Sequence, residues 1–379
     1  MIIRNIYEKQ GIADATLFYT DCIYERIMTE LDNFLISDEL NYDKIITIPY
    51  RRFRSDITNK DIYLFFPVTE LTIHIVFNKM SNDKFLKKYK YILKHGDDKS
   101  FFDKNENDDV NKKINKKFFV GGYAMGFGNR NWTQYSRITN PIRLRDDHGI
   151  AIYTGYSIDI DIENYNLNEE DQYSLLERDI KGTIVHELNH SYESYYRTFS
   201  KHPGSVRDKS IPVDITFADE NKWNFNKDIY KYWSLRFAYL TYISEPHEMN
   251  ANIQEVGFYM KEYGTDILNT SNTYLFYQRM KNFKAEDFIK NFSEYIKNKG
   301  GFYARDPQLV IERLKKMWVS VYKDNVERNR NKPFISIKTL ENMSALEFLK
   351  YWELIFNKRG ENVIRKILIL KNTIENEEI

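Results

Sequence analysis

The residues of this chain whose types and spacing could do chemistry fall in Thr183-Ile184-Val185-His186-Glu187-Leu188-Asn189-His190-Ser191-Tyr192. His186 and His190 are four apart, so on a helix they stand one turn above each other on a single face. Two imidazoles placed that way can grip one metal ion. Glu187 lies about 100° further round the helix, within reach of a water held by that ion. The pattern points to metal-assisted hydrolysis, with His186 and His190 as ligands and Glu187 as general base.

A helix has to carry these residues, and a core has to pin the helix. Residues 168–198 are predicted to form it. Asn168 suits the cap, Glu169, Glu170 and Asp171 suit the positive dipole end, and Leu176, Ile180, Ile184 and Leu188 recur at i+4 as a buried stripe. His186 and His190 run beside that stripe, and Gly182, one turn earlier, leaves room above an ion. A turn at His202-Pro203-Gly204 follows.

Ahead of the helix, Tyr156, Ile158, Ile160 and Ile162 alternate with Ser157, Asp159, Asp161 and Glu163, which predicts a half-buried strand paired with one over 149–155. The carboxylates are expected on a solvated outer face, with a preference for basic substrates as the sharper reading. Other strands are expected over 45–53, where Pro49 suits an edge, over 61–66, over 71–77 and over 118–127. In 71–77 the residues Leu71, Ile73, Ile75 and Phe77 share one face and His74 is read as a surface residue. Gly121 and Gly122 suggest a bulge or a close backbone approach. Leu17, Tyr24, Ile27, Met28, Leu31 and Leu35 predict an amphipathic helix over 13–36.

Residues 79–117 read as a polar, solvated insertion with a short helical patch at 85–93. Residues 126–141, with Trp132 and Tyr135, read as a long loop that could rim a substrate site. Helices are expected at 227–243, 246–262, 274–282, 285–298, 307–328, 345–357 and 361–371, ending in a frayed acidic tail from Ile374.

The His-Glu-x-x-His motif, with uncharged spacers, Thr183 three before the first His and Tyr192 after the second, resembles the zinc metallopeptidases called zincins. The resemblance implies an α+β, zincin-like fold. Residues 1–198 would be an upper lobe with a mixed or antiparallel sheet and the active-site helix, and residues 199–379 a mainly helical lower lobe. It also implies one zinc ion per chain and a peptide or protein substrate whose backbone pairs with a sheet edge.

A catalytic zinc usually has three protein ligands and one open position. The metzincin continuation is excluded, because Glu193 and Tyr196 occupy its Gly and His places. Asp219-Glu220 and Asp266, in Gly264-Thr265-Asp266, remain candidates, the latter as a thin echo of the aspzincins. The best candidate is Glu248 in Ser244-Glu245-Pro246-His247-Glu248-Met249-Asn250-Ala251-Asn252. Pro246 suits the first turn of a helix, Glu248 would project from it, and Ala251 lets another helix approach. Glu248-x-x-Ala251 resembles the gluzincin group. That implies Glu248 as third ligand and Asn252 at the place of an Asp that orients a metal-bound imidazole. Two features depart from that group: a long span from His190 to Glu248, and an Asn where an Asp is the stronger acceptor. Tyr242 and His247 are candidate donors to the substrate carbonyl in the transition state.

The chain has 379 residues, enough for two domains, with 56 Lys plus Arg against 55 Asp plus Glu. That balance gives no field for a nucleic acid or a membrane surface. The single cysteine, Cys22, excludes an intrachain disulfide and a cysteine-rich metal site. No apolar run is long enough to span a bilayer and Met1–Asn5 opens no signal core, so a cytoplasmic place is the default expectation. A second expectation, of another class, is a structural or assembly protein, for example of a phage virion, that keeps the zincin fold with little or no activity. The polar insertion and acidic tail are segments of a kind that order by packing into such an assembly.

Overall fold

The alternating apolar positions of the first half build one sheet. The computed structural model describes residues 2–49, 53–54, 61–62, 70–95, 117–125, 144–145, 151–152, 155–163, 170–199, 237, 240–241, 243–299, 307–329 and 335–377. They form two units, one up to residue 199 and one from residue 237. The protein is α+β, with a mixed four-stranded sheet and a majority of helix.

The first unit holds α1 (Ile2–Ile36), β1 (Asn41–Pro49), β2 (Phe53–Arg54), β3 (Asp61–Ile62), β4 (Glu70–Met80), α2 (Asn82–His95), β5 (Phe118–Met125), β6 (Leu144–Arg145), β7 (Ala151–Ile152), β8 (Gly155–Glu163) and α3 (Glu170–Phe199). The sheet order is β1-β4-β8-β5. The outer pairs, β1 with β4 and β5 with β8, are antiparallel, and the central pair is parallel. Pro49 closes an outer strand, where its missing donor costs nothing.

One face of the sheet is largely apolar, Lys44 of β1 being an exception. Leu71, Ile73, Ile75 and Phe77 of β4, with Tyr156, Ile158, Ile160 and Ile162 of β8, join a core with α1 and α3. Burying each such side chain is worth about 1.5–3 kcal/mol. The helix α3 enters this core through Leu176, Ile180, Ile184 and Leu188, as its period predicts. In α1 the buried row is Tyr19, Ile23, Ile27 and Leu31, while Leu17, Tyr24 and Leu35 are only half-buried. The helix also begins at Ile2, well before residue 13.

Three expectations about the sheet are corrected. His74 is buried, not superficial. Its Nε2 lies 2.8 Å from Asp43 Oδ1 and its Nδ1 3.3 Å from Ser157 Oγ, because β4 is an inner strand with polar neighbours on both sides. The short helical patch expected in the polar stretch is α2, which lies over the sheet face that carries His74. Phe85 is buried there and Tyr89 stacks on Phe119 at 3.9 Å between centroids, while Asn82, Asp83, Lys84, Lys87 and Lys88 are exposed. Asp161 is buried under it, accepting from Asn78 (2.8 Å), Lys88 (2.6 Å) and Tyr89. It is therefore committed inside the fold rather than offered to a substrate, whereas Asp159 is exposed. Finally, β8 does not pair with the segment before it. Both its sides are taken, by β4 and β5, and β7 pairs with β6.

The second unit is helical among the described residues: α4 (Pro246–Tyr263), a 3-10 turn (Thr265–Asn269), α5 (Asn272–Lys281), α6 (Ala285–Lys299), α7 (Pro307–Asn329), α8 (Ile337–Asn342) and α9 (Ala345–Glu377). Its core is rich in aromatic rings, with Trp352 edge-on to Phe237 and Trp318. The two helices expected over 345–371 are one 33-residue helix, about 50 Å long. Gly360 is in its middle as a contact, not a break. A Cβ there would lie 2.6 Å from Lys281 N and 2.9 Å from Tyr277 O. The acidic tail is helical to Glu377, with Ile374 buried and Glu375 accepting from Thr265 Oγ1 at 2.9 Å.

Candidate metal centre

Because Leu176, Ile180, Ile184 and Leu188 fix the rotation of α3, His186 and His190 come to the edge of the buried stripe, where both are half-buried. Their Nε2 atoms are 3.1 Å apart, with ring planes at 80°. Two nitrogens bound tetrahedrally at about 2.0–2.1 Å from zinc stand about 3.3 Å apart, so the pair is already spaced for one ion.

Glu187, on the adjacent face, is 7% exposed and turns toward β5. The approach of that strand depends on Gly122. A Cβ there would meet Thr183 Cγ2 at 2.5 Å, Glu187 Cγ at 3.2 Å and Ile158 Cδ1 at 3.3 Å. β5 pairs with β8 residue for residue, so the glycine serves a close backbone approach rather than a bulge. With β8 an inner strand, the sheet edge beside the helix is β5 among the described residues.

Glu248 lies in the first turn of α4, whose first residue is Pro246. A carboxylate suits the positive end of the helix dipole there, and this one is 4% exposed. The ligand atoms of His186, His190 and Glu248 all lie within 4.8 Å of one another, and theirs is the single such grouping among the described residues. A His, His, Glu donor set fits zinc and leaves a fourth position open. Asp266 is exposed and belongs to no such grouping. Asp219, Glu220, Tyr242, Trp132, Tyr135 and the side chain of His247 lie outside the described residues.

Asn252 is buried one turn beyond Glu248. Its Nδ2 donates to the Tyr277 hydroxyl at 2.9 Å, and that hydroxyl donates to Ile243 O at 3.0 Å. Arg359 Nη1 donates to Ser244 O at 2.7 Å and lies 3.2 Å from Ser244 Oγ. Burial pushes the Arg359 guanidinium below its ordinary value, while the Glu245 carboxylate opposes that shift. Sequence reasoning missed Tyr277 and Arg359. Neither sits in a motif, and each reaches Ile243–Asn252 from a helix distant in sequence.

No helix among the described residues is long and apolar enough to cross a membrane. Against protein-family models, curated proteins and solved structures, the chain finds no match.

Proposed function

We propose that the protein is a zinc-dependent metallopeptidase of the zincin type, gluzincin-like in its third ligand. The observation that carries the reading is the gathering of His186, His190 and Glu248 with the buried Glu187 beside the pair. The three would hold one zinc per chain. Zinc, when bound at such a site, brings the pKa of its water to about 7 and polarises a carbonyl. Glu187 takes the proton of the attacking water and returns it to the leaving amine nitrogen. Its low exposure keeps bulk water from competing for that proton. β5, the sheet edge beside the helix, would pair with the extended substrate backbone, as the resemblance implies.

The test is metal content and peptide turnover on purified protein. About one zinc per chain is expected, lost in His186→Ala and in His190→Ala. Glu187→Gln should retain the metal while turnover falls by at least about 10²-fold, because an amide cannot accept the proton. Zinc content unchanged in both histidine variants refutes the site. Zinc bound by a parent that cleaves no peptide refutes the peptidase and returns the reading to a structural or assembly protein.

A further inference from the structure

The chain breaks its helix just before Glu248. Leu240, Thr241 and Ile243 are helical, Ser244 and Glu245 are not, and Pro246 starts the next helix without an N–H to offer. Such a break strands carbonyls at the end of the first helix. Here two of them are taken up by side chains: Ile243 O by the Tyr277 hydroxyl at 3.0 Å, and Ser244 O by Arg359 at 2.7 Å. The Tyr277 hydroxyl also accepts from Asn252, one turn beyond Glu248. The ligand residue thus lies between two anchored points, backbone carbonyls before it and the Asn252 side chain after it. Ser244, Asn252, Glu248 and Tyr277 are all buried, so water does not replace these bonds cheaply. The α4 start has no side-chain cap of its own at Glu245. Its position comes from outside the helix.

The two anchors are mechanically linked. Arg359 is next to Gly360 on α9, and the missing Cβ of Gly360 is what lets the backbone of α5, at Tyr277 and Lys281, come so near. One helix contact therefore places both the hydroxyl and the guanidinium.

We propose that Tyr277 and Arg359 are positioning residues for the Glu248 carboxylate, clamping the Ile243–Asn252 segment so that the third ligand is preset before metal arrives. This rests on Glu248 being a zinc ligand. The clamp acts on affinity through geometry, as residues behind metal ligands do, and such residues are typically worth about 10–100-fold in metal binding.

The experiment is chelator competition for zinc on the full chain, together with the visible spectrum of the cobalt-substituted protein, for the parent, Glu248→Ala, Tyr277→Phe, Arg359→Gln, Arg359→Lys and Lys315→Met. Lys315→Met is the control. That lysine, in the same unit, donates to Glu341 O at 3.1 Å and to Met343 O, away from this segment, so its loss destabilises without touching the clamp. Tyr277→Phe and Arg359→Gln should each weaken zinc by at least about tenfold and alter the cobalt bands. Arg359→Lys should recover part of the loss, because an ammonium can still donate to Ser244 O. Lys315→Met should bind as the parent does. If Tyr277→Phe and Arg359→Gln bind zinc like the parent while Glu248→Ala fails, the clamp is refuted and the metal reading stands. If Glu248→Ala also binds like the parent, both fall. Equal weakening in Lys315→Met would make the effect general destabilisation and overturn the proposal.

Discussion

Replacing Gly122 by alanine puts one methyl group into the contact between β5 and the motif helix. The new carbon would lie 2.5 Å from Thr183 Cγ2, well inside van der Waals contact, and 3.2 Å from Glu187 Cγ. Thr183 branches at Cβ and has few rotamers to retreat into, so the helix or the strand has to move. Overpacking of this kind typically costs about 1–3 kcal/mol. Against it stands about 0.4–1 kcal/mol gained from a less flexible unfolded chain. The expected net loss is about 1–2 kcal/mol, a five- to thirty-fold shift in the folded-to-unfolded ratio. Urea unfolding of the metal-free protein, followed by far-ultraviolet circular dichroism, measures it without the linkage that a bound ion would add. Gly121→Ala is the matched control, since a Cβ at Gly121 would have nothing within 4 Å. Thr183→Ala removes the nearest atom, so the double variant should recover most of the loss, with a coupling of about 1 kcal/mol. Gly122→Ala as stable as Gly121→Ala would refute the reasoning, as would a double variant no better than Gly122→Ala alone.

The clash at Gly360 is with backbone and has no side chain to yield, so Gly360→Ala should destabilise by about 1–3 kcal/mol, although helix propensity alone favours alanine by about 1 kcal/mol. An equal or higher melting temperature would show that α5 does not depend on that glycine. Glu30 gives a pH signature. Burial alone would raise its pKa, but the bonds from Lys44, at 2.7 Å, and from Tyr42 outweigh it and hold the group below its ordinary value. A depressed carboxylate contributes stability at neutral pH that is lost as pH falls through its folded value. The parent should therefore lose melting temperature more steeply than Glu30→Gln below about pH 4.5. Parallel curves for the two proteins would remove that contribution. Lys44 is half exposed, so the difference should be small.

What the sequence determined by itself was local. The i+4 recurrence of Leu176, Ile180, Ile184 and Leu188 sets the rotation of α3, and that rotation leaves His186 and His190 at the edge of the buried stripe with Glu187 adjacent. Pro246 determined where α4 starts, because a residue without an N–H loses nothing in a first turn. Alternation determined which faces of β4 and β8 are apolar. Tertiary structure decided whatever depends on partners from elsewhere in the chain. His74 and Asp161 alternate like surface residues, yet they are buried because strands and α2 supply hydrogen bonds that no local pattern encodes. The two helices expected over 345–357 and 361–371 are one, and Gly360 between those ranges is a point of helix contact. Among the acidic residues, the Glu248-x-x-Ala251 context marks Glu248 over Asp266 and Asp219-Glu220 in the sequence alone. Its ligand atom lying within 4.8 Å of those of the imidazoles, and the exposure of Asp266, are tertiary facts that no local spacing encodes.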